Sequence, residues 1–152
     1  MKKKKIGIVV GRFQPFHSGH LYIINKALKE NNKVIVCIGS PKKNETISFK
    51  ENYKKINSEL KKLKKRNYRI IKIEDIGLPS YWPAHLVKKC KLTNKTSNYL
   101  YKSERNIPEK HKKELEEAGI HLKFVKRKKF LYKDSKGKSH RISSANEIRK
   151  LN

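Results

Sequence analysis

The sequence runs Gly11-Arg12-Phe13-Gln14-Pro15-Phe16-His17-Ser18-Gly19-His20 between two largely apolar segments. The preceding segment, Ile6–Val10, is short and apolar, as is typical of a buried strand. The following segment, Leu21–Leu28, has apolar residues at helical spacing. The pattern therefore predicts a strand, a loop punctuated by glycine and proline, and a helix that begins near Ser18.

Two histidines, His17 and His20, lie at the predicted start of this helix. In open α/β sheets, ligands bind at the carboxyl ends of the strands, and the N-terminus of a helix favours phosphate. Imidazole N–H groups can donate hydrogen bonds to phosphate oxygens. The residues therefore favour a phosphate site. A metal-binding histidine pair is the alternative, but no acidic third ligand lies nearby in the sequence.

Strand and helix patterns alternate along the rest of the chain. This alternation predicts an α/β fold, a Rossmann-like doubly wound parallel sheet in a single three-layer α/β/α domain over residues 1–152. The predicted strands are 5–10, 33–39, 68–74, 96–101 and 120–125; the predicted helices are 19–30, 48–66, a short one ending near 90, 108–118 and 144–151; a hairpin is predicted to pair 130–132 with 140–142.

The chain is strongly basic, with 40 Lys and Arg against 13 Asp and Glu and a formal net charge of +27. Such a charge attracts nucleotides, pyrophosphate and nucleic acid. Because the lysines are spread along the chain, solvated helix and strand faces are the favoured interpretation. The sequence has two cysteines without metal-ligand spacing, and it shows no signal peptide or long apolar span. We therefore expect a cytoplasmic protein.

The residues His17-Ser18-Gly19-His20, at the end of the stretch Gly11–His20, resemble the HxGH signature of the nucleotidyltransferase superfamily. Its longer form is most similar to that of the archaeal-type nicotinamide mononucleotide (NMN) adenylyltransferases. Near the C-terminus, Ser144-Ala145-Asn146-Glu147-Ile148-Arg149 resembles the phosphate motif Ser-Gly/Ala-Thr-x-Ile-Arg of that family. Between the two motifs, Ile35–Ser40 resembles the second strand of the family, and Asp75-Ile76 with Tyr81-Trp82 resembles its substrate-side loop.

The resemblance implies transfer of AMP from ATP to nicotinamide or nicotinate mononucleotide, with release of pyrophosphate. Mg²⁺ would bridge the ATP phosphates and water, without a protein metal site, and the family suggests a homo-oligomer. The implied catalytic residues are His17, His20 and Arg149. The implied ATP-binding residues are Gly11, Arg12, Phe13, Gln14, His17, Gly19, His20, Ser144, Asn146 and Arg149. The implied acceptor-binding residues are Gly39, Ser40, Asp75 and Trp82, with Trp82 stacking on the nicotinamide ring.

The sequence departs from the family mainly on the acceptor side. Pro79 stands where the family has an Asn, and Asn52 stands where it has an Arg. The loop 41–47 is shortened, and the C-terminal helical extension of the family does not follow Asn152. Two alternatives therefore stay open. The first is a nucleotidyltransferase for another phosphorylated acceptor, such as phosphocholine, glycerol phosphate or phosphopantetheine. The second, which the net charge of +27 favours, is a basic nucleic-acid-binding protein that retains the fold, although the sequence shows no recognisable RNA-binding motif.

Overall fold

A computed structural model describes most of the chain. The described residues are 3–40, 47–74, 82–103, 107–126, 129–142 and 145–151, without the side chains of residues 40, 145, 146 and 149. In chain order the elements are β1 (Lys4–Gly11), α1 (Ser18–Glu30), β2 (Lys33–Ser40), α2 (Phe49–Lys62), β3 (Tyr68–Glu74), α3 (Trp82–Cys90), β4 (Thr96–Ser103), α4 (Glu109–Glu117), β5 (Ile120–Val125), β6 (Phe130–Lys133), β7 (Ser139–Ile142) and α5 (Ala145–Leu151).

The main sheet has five strands in the order β3-β2-β1-β4-β5, and every neighbouring pair is parallel. The chain starts in the central strand and turns outward on both sides, which is the doubly wound arrangement expected from the alternating pattern. The predicted α/β class is confirmed. The crevice where ligands bind in such sheets lies beyond the carboxyl end of β1, at Gly11.

Helices cover both faces of the sheet, because neighbouring strand residues point to opposite faces. On one face, Val9 and Val36 belong to a core with Ile24 of α1 and Ile56 of α2. On the other face, a second core joins Ile8 and Ile35 to Leu86 of α3 and Leu115 of α4. The three predicted layers are therefore present, and β1 is buried between them.

The predicted end of α2 is wrong by four residues, and the predicted start of α4 is wrong by one. Ser48 is followed three residues later by Glu51, which is the sequence pattern of a capping box, and Ser48 accepts a hydrogen bond from the Glu51 backbone N–H (3.2 Å) as the N-cap of α2. The helix ends at Lys62 rather than at residue 66, since Lys64 adopts a left-handed φ of 58°. Pro108 is the N-cap of α4 and not a residue of its first turn.

The predicted hairpin is present as β6 and β7, in which Phe130 pairs with Ile142. Its turn is held by Asp134, whose Oδ1 accepts hydrogen bonds from the backbone N–H groups of Lys136 and Lys138, each at 2.9 Å. The other carboxylate oxygen, Oδ2, lies 2.8 Å from Nε2 of His140. One carboxylate thus joins the turn to the second strand.

This arrangement makes the stability of the hairpin depend on acid pH. The contact with His140, followed by the backbone N–H groups, lowers the pKa of Asp134 below its ordinary value of 3.8. A carboxylate with a lowered folded pKa contributes stability above its unfolded pKa and loses that contribution as the pH falls through the folded value. We expect the melting-temperature difference between the wild type and Asp134→Asn to be larger at about pH 6 than at about pH 3. An equal difference at both values would contradict this role of the charge.

Among the described residues, no helix has the length and apolar character needed to cross a membrane.

Candidate active site at the start of α1

Two histidines cap the first helix reciprocally. His17 is the N-cap residue, and its Nδ1 accepts hydrogen bonds from the backbone N–H groups of Gly19 (3.0 Å) and His20 (3.4 Å). In return, Nδ1 of His20 accepts from the backbone N–H of His17 (3.2 Å). This is the geometry of a capping box, with imidazoles in place of the usual hydroxyl and carboxylate. The spacing of three residues between the histidines therefore has a structural cause.

The capping bonds determine which ring nitrogen carries the proton. In a neutral imidazole, one nitrogen accepts and the other donates. Because Nδ1 of both rings accepts from the backbone, we assign the proton to Nε2 in each case. The two rings are stacked, with their centroids 3.7 Å apart and an interplanar angle of 21°. The pair thus carries two adjacent Nε2–H donors at the N-terminus of a helix, which suits neighbouring phosphate oxygens.

Aromatic side chains continue the stack on both sides. Phe16 stacks on His20 at 5.7 Å, and Phe130 of β6 stacks on His17 at 4.7 Å. Phe13 meets His20 edge-on, with centroids 4.9 Å apart and an angle of 90°. Sequence reasoning missed Phe130, because it lies in a hairpin more than a hundred residues away and no local pattern links it to the histidines. Its ring restricts the orientation that His17 can adopt.

The glycine between the histidines is required by this packing. A Cβ on Gly19 would lie 2.9 Å from Cε1 and 3.0 Å from Nδ1 of His17, and 3.3 Å from the Phe130 ring. A Cβ on Gly11 would lie 2.7 Å from the Phe13 ring. Phe13 itself is buried with a left-handed φ of 52°, which bulky residues rarely adopt. The small residues therefore let the loop fold tightly around the two imidazoles.

Polar side chains fix the loop that carries Arg12. The carbonyl of Arg12 accepts a hydrogen bond from Nδ2 of the buried Asn52 (3.2 Å) and a longer one from Nε2 of Gln14 (3.5 Å). Gln14 also exchanges two hydrogen bonds of 2.8 Å with the backbone of Ile47. Phe13 and Gln14 are buried, so a nucleotide contact by these two residues would be made by the main chain. The side chain of Arg12 is exposed.

Asn52 is a second residue whose role sequence reasoning missed. In the sequence it stands out only as a departure from the family, in which an Arg occupies this position. In the structure its amide anchors the Arg12 carbonyl from α2, across the end of β1. Asn52 is therefore a positioning residue for the loop. It is a polar residue on the buried face of α2, where the helical pattern predicts apolar residues.

Gly39 lies beside the loop that carries Arg12, because β1 and β2 are neighbouring strands of the sheet. A Cβ on Gly39 would be 3.6 Å from the Gly11 carbonyl oxygen and 3.7 Å from Cγ of Arg12, which is ordinary contact distance. The parallel register pairs Gly11 with Ile38, so both strands end at the same edge. Ser40 is the last residue of β2.

Trp82 is the first residue of α3 and is half-buried against the second core. Nζ of Lys102, near the carboxyl end of β4, lies 5.4 Å from the centroid of its ring, and the His111 ring is 6.2 Å away. A cation over an indole ring is a favourable contact. Trp82 therefore has both a packing role and a neighbouring positive charge.

Some predicted site residues lie outside the described part of the chain. These are Asp75 and Ser144; Pro79, the departure from the family on the acceptor side, also lies outside the described residues. Asn146 and Arg149 are in α5, but the structure does not describe their side chains. The neighbouring Ile148 is buried in the core. In the described residues there is no group of three or more His, Cys, Asp or Glu side chains that could hold a metal ion.

Known proteins resemble this chain in both sequence and fold. A family model described as cytidylyltransferase-like matches residues 8–150. The chain belongs to this family. Nicotinamide-nucleotide adenylyltransferase of Thermoplasma acidophilum is 37% identical over 89 residues, covering 56% of this chain and 50% of that protein. Its namesake from Picrophilus torridus is 38% identical over 82 residues, covering 51% of this chain and 48% of that protein. The matches thus span about half the length of these relatives.

Solved structures agree on the fold of this cytidylyltransferase-like chain. A bifunctional NMN adenylyltransferase/ADP ribose pyrophosphatase from Francisella tularensis superposes with a TM-score of 0.69 at 23% identity, over 97% of this chain and 41% of that one. The NadR protein in complex with NAD and AMP-PNP gives a TM-score of 0.61 at 18% identity, over 82% of this chain and 39% of that one. At these identities the comparison concerns the fold alone.

Proposed function

We propose that this protein is an adenylyltransferase that transfers AMP from ATP to nicotinamide or nicotinate mononucleotide and releases pyrophosphate. The observation that carries the proposal is the reciprocal capping of His17 and His20, which uses Nδ1 of both rings and leaves Nε2 of each as the donor nitrogen at the start of α1, the helix that follows the carboxyl end of β1. Membership of the cytidylyltransferase-like family and the names of the curated relatives support it.

The chemistry asks for positioning and charge stabilisation rather than for a covalent intermediate. The acceptor phosphate attacks the α-phosphorus of ATP, and negative charge grows on the departing pyrophosphate. Donors from His17 and His20, the positive end of the α1 dipole and the guanidinium of Arg12 would stabilise that charge. Arg149, with Ser144 and Asn146, would bind the β- and γ-phosphates at the start of α5, as the family resemblance implies. ATP would bind as its magnesium complex, with Mg²⁺ held by phosphate oxygens and water.

The acceptor is the finer part of the proposal. Trp82 would stack on the pyridine ring, with Gly39, Ser40 and Asp75 completing the pocket. The ammonium of Lys102 lies 5.4 Å from the Trp82 ring, and a carboxylate next to a cation is stabilised more than a neutral amide. The acid and amide forms of the acceptor are therefore worth comparing directly. A homo-oligomeric state and a cytoplasmic location stay predictions.

A turnover assay with several acceptors tests the proposal. The protein, ATP and Mg²⁺ are mixed separately with nicotinamide mononucleotide, nicotinate mononucleotide, phosphocholine, glycerol phosphate and phosphopantetheine, and pyrophosphate and the adenylylated product are measured together. Product with a pyridine mononucleotide supports the proposal. Product with another phosphorylated acceptor alone would replace it with the second nucleotidyltransferase hypothesis. RNA binding that persists at about 150 mM salt, without turnover, would favour nucleic-acid binding.

Replacing Phe130 with alanine tests the contribution of the hairpin to the site. Without the ring that stacks on His17 at 4.7 Å, the imidazole can leave its productive orientation, and we expect kcat to fall about tenfold or more with a smaller change in the KM for ATP. Phe130→Tyr keeps the ring and should restore most of the rate. The matched control is Leu131→Ala on the same strand, because that side chain is 75% exposed. Equal losses in both alanine variants would assign the effect to the hairpin as a whole.

A further inference from the structure

The two cysteines of the chain meet in the core, away from the histidine pair. Cys37 lies in β2, and Cys90 is the last residue of α3. Their Sγ atoms are 3.6 Å apart although the residues are 53 positions apart in sequence. Both side chains are buried. Neither thiol has a role in the proposed transfer of AMP.

The geometry of this pair suits a covalent bond. A disulfide needs an S–S distance of about 2.05 Å, so the two sulfur atoms would have to approach each other by about 1.5 Å from their separation of 3.6 Å. Cys90 is at the end of a helix, where the next residue, Lys91, already leaves helical geometry with a φ of 53°. The end of an element can shift more easily than its middle, since fewer backbone hydrogen bonds hold it.

The surroundings of the pair make one thiol more acidic than the other. The hydrogen bond between the thiols lowers the pKa of Cys90 and raises that of Cys37, and the positive charge of Arg69 acts on both in the lowering direction. Arg69 lies in β3, where its Nη2 donates to the Cys90 carbonyl (3.5 Å) and its buried Nε has no hydrogen-bond partner among the described residues. These opposite directions make Cys90 the more acidic thiol of the pair, and so the one that reacts first as a thiolate.

We propose that Cys37 and Cys90 form a modification site that closes into an intrachain disulfide on exposure to a small peroxide. The Cys90 thiolate attacks one oxygen of hydrogen peroxide, the O–O bond breaks, and hydroxide leaves. The attacked oxygen is then part of a sulfenic acid on Cys90. The Cys37 sulfur then attacks the Cys90 sulfur, the S–O bond breaks, and the S–S bond forms. Both thiol protons end in water, so two thiols and one peroxide give one disulfide and two waters. Because the thiols are buried, a small oxidant is favoured over a bulky disulfide.

The cross-link would join the end of α3 to the middle of β2. Closing a long loop reduces the conformational entropy of the unfolded chain. We therefore expect the oxidised protein to melt roughly 5–10 °C above the reduced protein, and the difference to disappear after treatment with a dithiol reductant. The inference does not depend on the proposed enzymatic activity, since it concerns thiol chemistry alone.

The test uses the purified full chain under native conditions. The reduced protein is treated with hydrogen peroxide, denatured, alkylated and analysed by intact mass and by peptide mapping. The expected result is a monomer lighter by about 2 Da that resists alkylation, with Cys37 linked to Cys90, and with a raised melting temperature. Cys37→Ala and Cys90→Ala should each abolish the mass loss, and this readout needs no enzymatic activity.

Three outcomes would overturn the proposal. Both thiols could still react fully with the alkylating reagent after prolonged peroxide treatment of the native protein. Oxidation could stop at sulfinic or sulfonic acids on single cysteines, or cross-link two chains instead of one. The disulfide could form but lower the melting temperature, which would show that it strains the native core instead of fitting it.

Discussion

Replacing His20 with alanine is expected to lower turnover of ATP and the mononucleotide acceptor by about 10²–10³-fold, which is the usual effect of removing one preorganised donor to developing charge. The variant loses the Nε2–H donor of His20 at the phosphates. It also loses the ring contact that holds His17, since the centroids of the two imidazoles are 3.7 Å apart. The fall should appear in kcat and in kcat/KM, because the interaction is strongest in the transition state. Steady-state kinetics of pyrophosphate release measure it.

The structural cost of this substitution is expected to be small. His20 accepts one hydrogen bond from the His17 backbone, and loss of a cap contact costs about 1 kcal/mol. The melting temperature and circular dichroism should therefore stay close to those of the wild type. Lys26→Ala, an exposed change on the same helix, is the matched control and should retain full turnover. Near-normal turnover in His20→Ala would remove this residue from the mechanism.

Replacing Gly19 with alanine should damage the site without removing any functional group. The new Cβ would lie 2.9 Å and 3.0 Å from two atoms of the His17 ring and 3.3 Å from the Phe130 ring, so the imidazole must move. A displacement of this kind near the reacting groups can cost about 10²-fold in rate. We expect kcat to fall by about that factor while the helix itself persists, because alanine is a better helix former than glycine.

The neighbouring Ser18→Ala variant controls for the Gly19 experiment. Ser18 is exposed and lies between the two histidines, so its change to alanine should leave turnover within about twofold of the wild type. Nuclear magnetic resonance spectra of the imidazole nitrogens provide the second readout: Gly19→Ala should shift the His17 signals, and Ser18→Ala should not. Full activity in Gly19→Ala would show that the close packing of His17 is irrelevant to function.

The sequence was sufficient for the features that depend on local patterns. The strand, loop and helix around Gly11 and Ser18, the capping of α2 by Ser48 and the hairpin at Phe130 all follow from periodicity and turn residues. The parallel sheet follows from the alternation of these elements. The end of α2 was missed, because the lysines that follow Lys62 are compatible with a helix and nothing in their composition marks the left-handed turn at Lys64.

The features that escaped prediction are contacts between distant parts of the chain. Phe130 reaches His17 only because the hairpin folds back to the start of α1, and Asn52 reaches the Arg12 carbonyl only because α2 packs beside the end of β1. The contact of Cys37 with Cys90 likewise needs the register of β2 and the length of α3. Periodicity identifies which face of an element is buried, but it does not show which residues of another element will contact that face.

The most direct test of adenylyl transfer is to follow the phosphorus atoms of ATP. The protein and Mg²⁺ are incubated with nicotinamide mononucleotide and either α-labelled or γ-labelled ATP, and the products are separated. We expect the α label to enter the dinucleotide and the γ label to leave in pyrophosphate, in equal amounts. Transfer of the γ label to the acceptor, or its release as inorganic phosphate while the α label stays in ADP, would contradict attack at the α-phosphorus and with it the function proposed for His17 and His20.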